Sequence, residues 1–113
     1  MPIAPIRSGA APAAVELVAR DFGAHIAQAR KRRRWTQAEL ARKAGITRQT
    51  LMKVERGSLG TSLTAYIAVL WAMGLHHAFG SLAATEQDAE GRALERNRLG
   101  ARVRHAQSAD DDF

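Results

Sequence analysis

Arg48, Gln49, Lys53 and Arg56 lie within the stretch TRQTLMKVERG, at a spacing suited to reading or gripping a polyanion. At about 100° per residue, Arg48, Gln49, Met52, Lys53 and Arg56 fall on one side of a helix, with Thr50, Leu51 and Val54 opposite. An arginine can bond guanine bidentately, and a glutamine can do so with adenine. Arg48 and Gln49 stand in the first turn, the part of a recognition helix that meets base edges. For one isolated amphipathic helix, a plain solvated face would be the better reading; the neighbouring residues weigh against it here.

Other chemistry finds little support. His76 and His77 are adjacent, so on a helix they point about 100° apart and suit solvent or a helix end better than a shared metal. Asp110, Asp111 and Asp112 read more readily as an acidic tail than as a cation site. There is no nucleophile–base constellation, phosphate loop or HExxH, so neither an enzyme nor a cofactor is expected. The chain has 0 cysteines, which excludes disulfides and thiolate metal sites and fits a reducing compartment. No apolar run is long enough to span a membrane, and the N-terminus lacks the pattern of a signal peptide, so a cytoplasmic protein is expected.

The surrounding elements are predicted from caps and stops. Thr36 is a good N-cap and Glu39 completes a capping box, with Trp35 and Leu40 as a hydrophobic staple. Gly45 supplies the stop. Thr47 caps the next helix, with Ile46 and Leu51 as its staple, and Gly57 ends it. Two capped helices joined so closely predict a helical corner, in which the second helix enters the major groove. Gln37, at the first helical position, can bond a phosphate beside the free amides of that turn. Arg33, Arg34 and Lys53 are further phosphate candidates. The run Arg30–Arg34 closes a preceding helix, where cations suit the helix dipole.

That first helix is predicted from Ala13, with Val15, Val18, Phe22, Ile26 and Ala29 as one apolar stripe and Gly23 as a weak point. Ser62 caps a fourth helix whose Leu63, Tyr66, Ile67, Leu70 and Trp71 share a face, closed by Gly74. A short fifth segment runs from Leu75 to Ala84 with Phe79 and Leu82. Residues 86–98 can form a weakly apolar helix, Ala101–Arg104 alternates as a poor strand signal, and Ser108–Phe113 reads as a mobile acidic end. The expected organisation is an extended arm at 1–12, a DNA-binding domain at 13–84 and a C-terminal helix and tail at 85–113.

Charge follows that division. The net charge is +6. Residues 1–84 hold twelve Lys/Arg and four Asp/Glu, giving +8, and residues 85–113 hold five and seven, giving −2. A basic body predicts a polyanionic partner.

Residues 22–75 resemble the XRE family, the lambdoid repressor and Cro type of helix-turn-helix protein. The matching features are Arg30, TQAELA, Gly45, Thr47-Arg48-Gln49-Thr50, Leu51, Glu55-x-Gly57 and Ser62-Leu63…Leu70…Gly74-Leu75. The resemblance implies an all-α, five-helix lambda-repressor-like domain, here with an N-terminal helical extension and a flexible C-terminal tail. It implies a structural ion pair between Arg30 and Glu55. It maps Gln37, Thr47, Arg48, Gln49, Thr50 and Lys53 to DNA-contacting positions and implies a homodimer on a palindromic site. Helices four and five and the residues after Thr85 are the expected dimer interface, with Trp71, Phe79 and Leu82 either there or completing the core. The N-terminal extension, IAVLWAMGL and the tail ending in Phe113 are similar to HipB-like antitoxins. That likeness implies an autoregulating repressor that binds a HipA-like serine/threonine kinase toxin. A stand-alone XRE-family regulator is the alternative. The tail is either a solubilising end or a dock with Phe113 as anchor.

Overall fold

The computed structural model describes residues 12–111, with side chains to residue 106. Among these residues, six α-helices and one 3-10 turn follow in order: α1 Ala13–Arg32, α2 Gln37–Ala44, α3 Arg48–Glu55, α4 Leu63–Ala72, α5 His76–Gly80, the turn Thr85–Gln87, and α6 Ala89–Asp111. No strand occurs among the described residues. The chain forms two compact units that divide between His77 and Ala78. Apart from Pro12, which accepts from the Val15 and Glu16 amides at the start of α1, the expected arm lies outside the described residues.

The caps position the first unit. The Thr36 hydroxyl accepts from the Glu39 amide at 3.1 Å, and the Glu39 carboxylate accepts from the Thr36 amide at 3.2 Å. Thr47 caps α3 by accepting from the Thr50 amide, and Ser62 caps α4 by accepting from the Ala65 amide. Each of α2, α3 and α4 stops at a left-handed glycine, Gly45, Gly57 and Gly74, the conformation glycine adopts without steric penalty. The core closed by these helices is aliphatic, with Ile26, Leu40, Leu51, Val54 and Val69 fully buried. Phe22 stacks on Tyr66 with ring centroids 5.7 Å apart. The Tyr66 hydroxyl donates to the Ser58 carbonyl at 2.7 Å and ties the loop before α4 to that helix.

Gly23, expected as a weak point of α1, is a contact. A side chain there would begin 2.6 Å from the Gly57 nitrogen and the Val54 oxygen. Helix α1 thus meets the end of α3 backbone to backbone, which only a residue without Cβ permits.

Three expectations are corrected. The apolar stripe of α1 is buried only from Gly23 onward, and Val15 and Val18 are exposed, because the first turns of α1 run past the core. The face assigned to α4 divides. Tyr66 and Leu70 join Ala65 and Val69 inside, while Leu63, Ile67 and Trp71 face out, because this helix is apolar all round and can bury only one side. In the second unit, Ala101–Arg104 is helical rather than extended, and Ser108–Asp111, expected as a mobile end, continue α6. Asp88 starts that helix by accepting from the Gly91 amide at 2.9 Å. Its proline-free run of Ala, Leu, Glu and Arg then favours continuation. Asp112 and Phe113 lie outside the described residues.

Candidate nucleic-acid interface

Helix α3 is held from behind. Its Leu51 and Val54 are fully buried, so rotation about its axis is fixed by packing. Arg48, Gln49 and Lys53 are left exposed on the other side, and among the described residues their side chains have no hydrogen-bond or ion-pair partner. Arg56, at the end of the same helix, is also exposed. Thr47 and Thr50 are committed differently. Besides the capping bond, their hydroxyls lie 2.9 Å apart in a hydrogen bond, which fixes the first turn that carries Arg48 and Gln49.

Behind this helix sits a charged network. Arg30 donates through Nε to Glu55 Oε2 at 2.7 Å and through Nη2 to Oε1 at 3.1 Å. Its third nitrogen, Nη1, donates to the Trp35 carbonyl at 2.9 Å. The two side chains are 11% and 7% exposed, so the pair is largely withdrawn from water. Its geometry is the bidentate fork that guanidinium and carboxylate favour. It joins the end of α1, the entry to α2 and the end of α3.

Two expected phosphate ligands turn out to be engaged. The Gln37 side-chain amide donates to Glu55 Oε1 at 3.1 Å, so it completes the network at the start of α2. What α2 retains for an anion is backbone: first-turn amides have no intrahelical acceptor, and only that of Glu39 is taken by Thr36. Arg33 donates to the Ala29 carbonyl at 2.9 Å and to the Met73 carbonyl at 3.2 Å. Sequence alone placed it with the free cations because a carbonyl acceptor forty residues away leaves no local signature. Its neighbour Arg34 is exposed, and its side chain has no partner among the described residues. Its φ of 57° is left-handed, the single non-glycine case among the described residues. Trp35, next in line, lies beneath Lys43, whose ammonium stands 4.8 Å from a ring centroid.

Of the side chains expected to meet DNA, those left without a partner among the described residues are Arg34, Arg48, Gln49 and Lys53. The first stands at the end of α1 and the others on α3. His76 and His77 have rings 4.0 Å apart, and among the described residues no three His, Cys, Asp or Glu side chains gather as a metal site would require. No helix of the described residues is long and apolar enough to cross a membrane.

The family model described as a helix-turn-helix domain matches residues 21–78, from within α1 to the start of α5. No curated protein and no solved structure matches the chain. The matched span is just over half of the chain and contains the whole α2–α3 corner with the helices that brace it. The chain belongs to the helix-turn-helix domain family of DNA-binding regulators.

Proposed function

We propose that the chain is a sequence-specific repressor of the XRE type that binds double-stranded DNA through α3. The observation that carries this is the exposure of Arg48, Gln49 and Lys53, unpaired, on a helix whose opposite side is locked in the core. Arg48 and Gln49 read base edges in the major groove. Lys53, Arg34 and the first-turn amides of α2 hold phosphates. Thr47 and Thr50 hold the reading turn in shape, and Gln37 and Arg33 act by bracing. A single recognition helix covers few base pairs, so the protein acts as a homodimer on a palindromic site, with half-sites about 34 Å apart. Selection of duplexes from a randomised pool tests this reading. A palindromic consensus is the expected result, and recovery without sequence preference refutes it.

The finer reading is a HipB-like antitoxin that represses its own operon and restrains a HipA-like serine/threonine kinase. Its support is the layout of the chain: a helical N-terminal extension, the IAVLWAMGL helix and a C-terminal segment ending in three aspartates and Phe113. The second reading, a stand-alone regulator, needs only the unit that carries every DNA-facing residue named above. Co-purification from the native host separates them. A kinase-like partner selects the antitoxin, and co-expression must then relieve that kinase's toxicity.

A further inference from the structure

Glu16 and Arg20 stand four residues apart on α1, a spacing at which a helix pairs a carboxylate with a guanidinium, yet they are not bonded to each other. They instead line, with Arg56, Gly57 and Leu59, an open cleft of about 260 Å³. None of the three charged side chains has a hydrogen-bond or ion-pair partner among the described residues. Two guanidinium groups thus share one cleft with a single carboxylate, an excess of one positive charge.

The cleft is built by close backbone contact. A Cβ on Gly57 would lie 2.7 Å from the Arg20 Cα, so α1 rests directly on the turn that ends α3. The root of Arg20 is therefore fixed beside that of Arg56. Glu16 and Arg20 both precede residue 21, where the helix-turn-helix match begins. The cleft thus depends on the extension of α1 through residues 13–20, and the matched domain alone does not contain it.

We propose that this cleft is a phosphate site, and that its ligand is one phosphodiester of the bound duplex, gripped by Arg20 and Arg56 together. The proposal rests on the DNA-binding reading above and adds to it a contact from the extension of α1.

Position, size and charge choose the ligand. Arg56 falls on the same side of α3 as Arg48, Gln49 and Lys53, eight residues beyond Arg48. At 1.5 Å per residue that is about 12 Å, close to the major-groove width of about 12 Å. With the first turn of α3 at the groove floor, Arg56 reaches the backbone that walls the groove. The cleft is open and smaller than the roughly 300–1,000 Å³ of small-molecule pockets, so it suits one group of a passing chain better than a whole ligand. A phosphodiester carries a single negative charge, which matches the excess in the cleft, and guanidinium forks bind phosphate oxygens in pairs. The same balance gives Glu16 a role. Its carboxylate opposes the phosphate and limits the grip of the two arginines on DNA of any sequence, which leaves more of the binding to base contacts.

Arg20→Ala, Arg56→Ala, the two combined, and Glu16→Gln, each in the full chain, test the site by titration across salt concentrations on the selected duplex and on an unrelated one. All three side chains are exposed, so circular dichroism should be unchanged. Loss of either arginine should weaken binding to both duplexes by about three- to fivefold, and Glu16→Gln should strengthen both by a similar factor. The combined variant should lower the slope of log affinity against log salt by about one unit, the value for one phosphate. Replacing single phosphates of the selected duplex by uncharged methylphosphonates then locates the contact. The unaltered protein should lose affinity at a phosphate to which Arg20→Ala and Arg56→Ala are both indifferent. Absence of such a position would mean that the cleft holds a free anion or none, and would overturn the assignment. So would an unchanged slope in the combined variant, or a fall of about two units, which would mean two separate phosphates. The salt titration on the unrelated duplex needs no consensus sequence. If selection finds none while that slope still falls by about one unit, the operator reading fails and the phosphate site stands.

Discussion

Glu55 accepts hydrogen bonds from two elements at once, the Arg30 guanidinium of α1 and the Gln37 amide of α2, and it stands at the last position of α3. One carboxylate thus fixes where α3 ends relative to both helices behind it. Removing it strands a guanidinium that is 11% exposed. Glu55→Ala should cost about 3–5 kcal/mol. Gln37→Ala removes one hydrogen bond to a charged group and should cost about 1.5–3 kcal/mol or less. Urea unfolding measures both, and the order of the two losses is the test.

Gly23 offers a prediction whose sign opposes helix propensity. Inside an exposed helix, Gly→Ala stabilises by about 0.8–1.0 kcal/mol. Here the new methyl would meet three backbone atoms of the α3 end within 2.7 Å. Gly23→Ala should therefore destabilise by about 1–3 kcal/mol through overpacking. A rise in melting temperature would show that the two helices do not meet as described.

Arg34 sits where glycine is easier. A left-handed residue with a Cβ costs about 1–2 kcal/mol, and the φ of 57° places Arg34 there. Arg34→Gly should stabilise the fold by about 1 kcal/mol while weakening DNA binding evenly across sequences. The slope of log affinity against log salt should fall by about one unit. Stability gained with no change in the salt slope would remove Arg34 from the interface.

Tyr66 ties stability to alkaline pH. Burial pushes its phenol above the ordinary value of 10.0, so the folded protein holds this proton more firmly than the unfolded chain. The corresponding stability is complete below about pH 10 and is lost as pH rises through the raised value. Tyr66→Phe should cost about 0.5–1.5 kcal/mol at neutral pH, from the lost bond to the Ser58 carbonyl. It should also flatten the decline above pH 10. Chemical unfolding at pH 8 and pH 10.5 measures both effects.

What the sequence disclosed follows from range. Thr36 with Glu39, Thr47 with Thr50 and Gly45 act within one helical turn, so the α2–α3 corner was legible from spacing alone. Arg30 with Glu55 is a long-range pair, and it was reachable only through resemblance to a family. Nothing local distinguishes Arg33, whose side chain is bonded to Met73 across the fold, from Arg34, whose side chain has no partner among the described residues. The same limit applies to α4. Periodicity cannot say which side of a helix is buried when every side is apolar, and Leu63, Ile67 and Trp71 fell outward for that reason. At α6, a long run of helix-forming residues begun at the Asp88 cap outweighs the short alternation at Ala101–Arg104.

The central claim is that the exposed side of α3 reads sequence, and the most direct measurement is the affinity of Arg48→Ala and Gln49→Ala for the selected duplex and for its single-base variants. Each substitution should cost roughly 1–3 kcal/mol and relax preference at one base pair per half-site, leaving other positions unaffected. Affinity and base preference unchanged in both variants would contradict the account and move the recognition surface elsewhere on the protein.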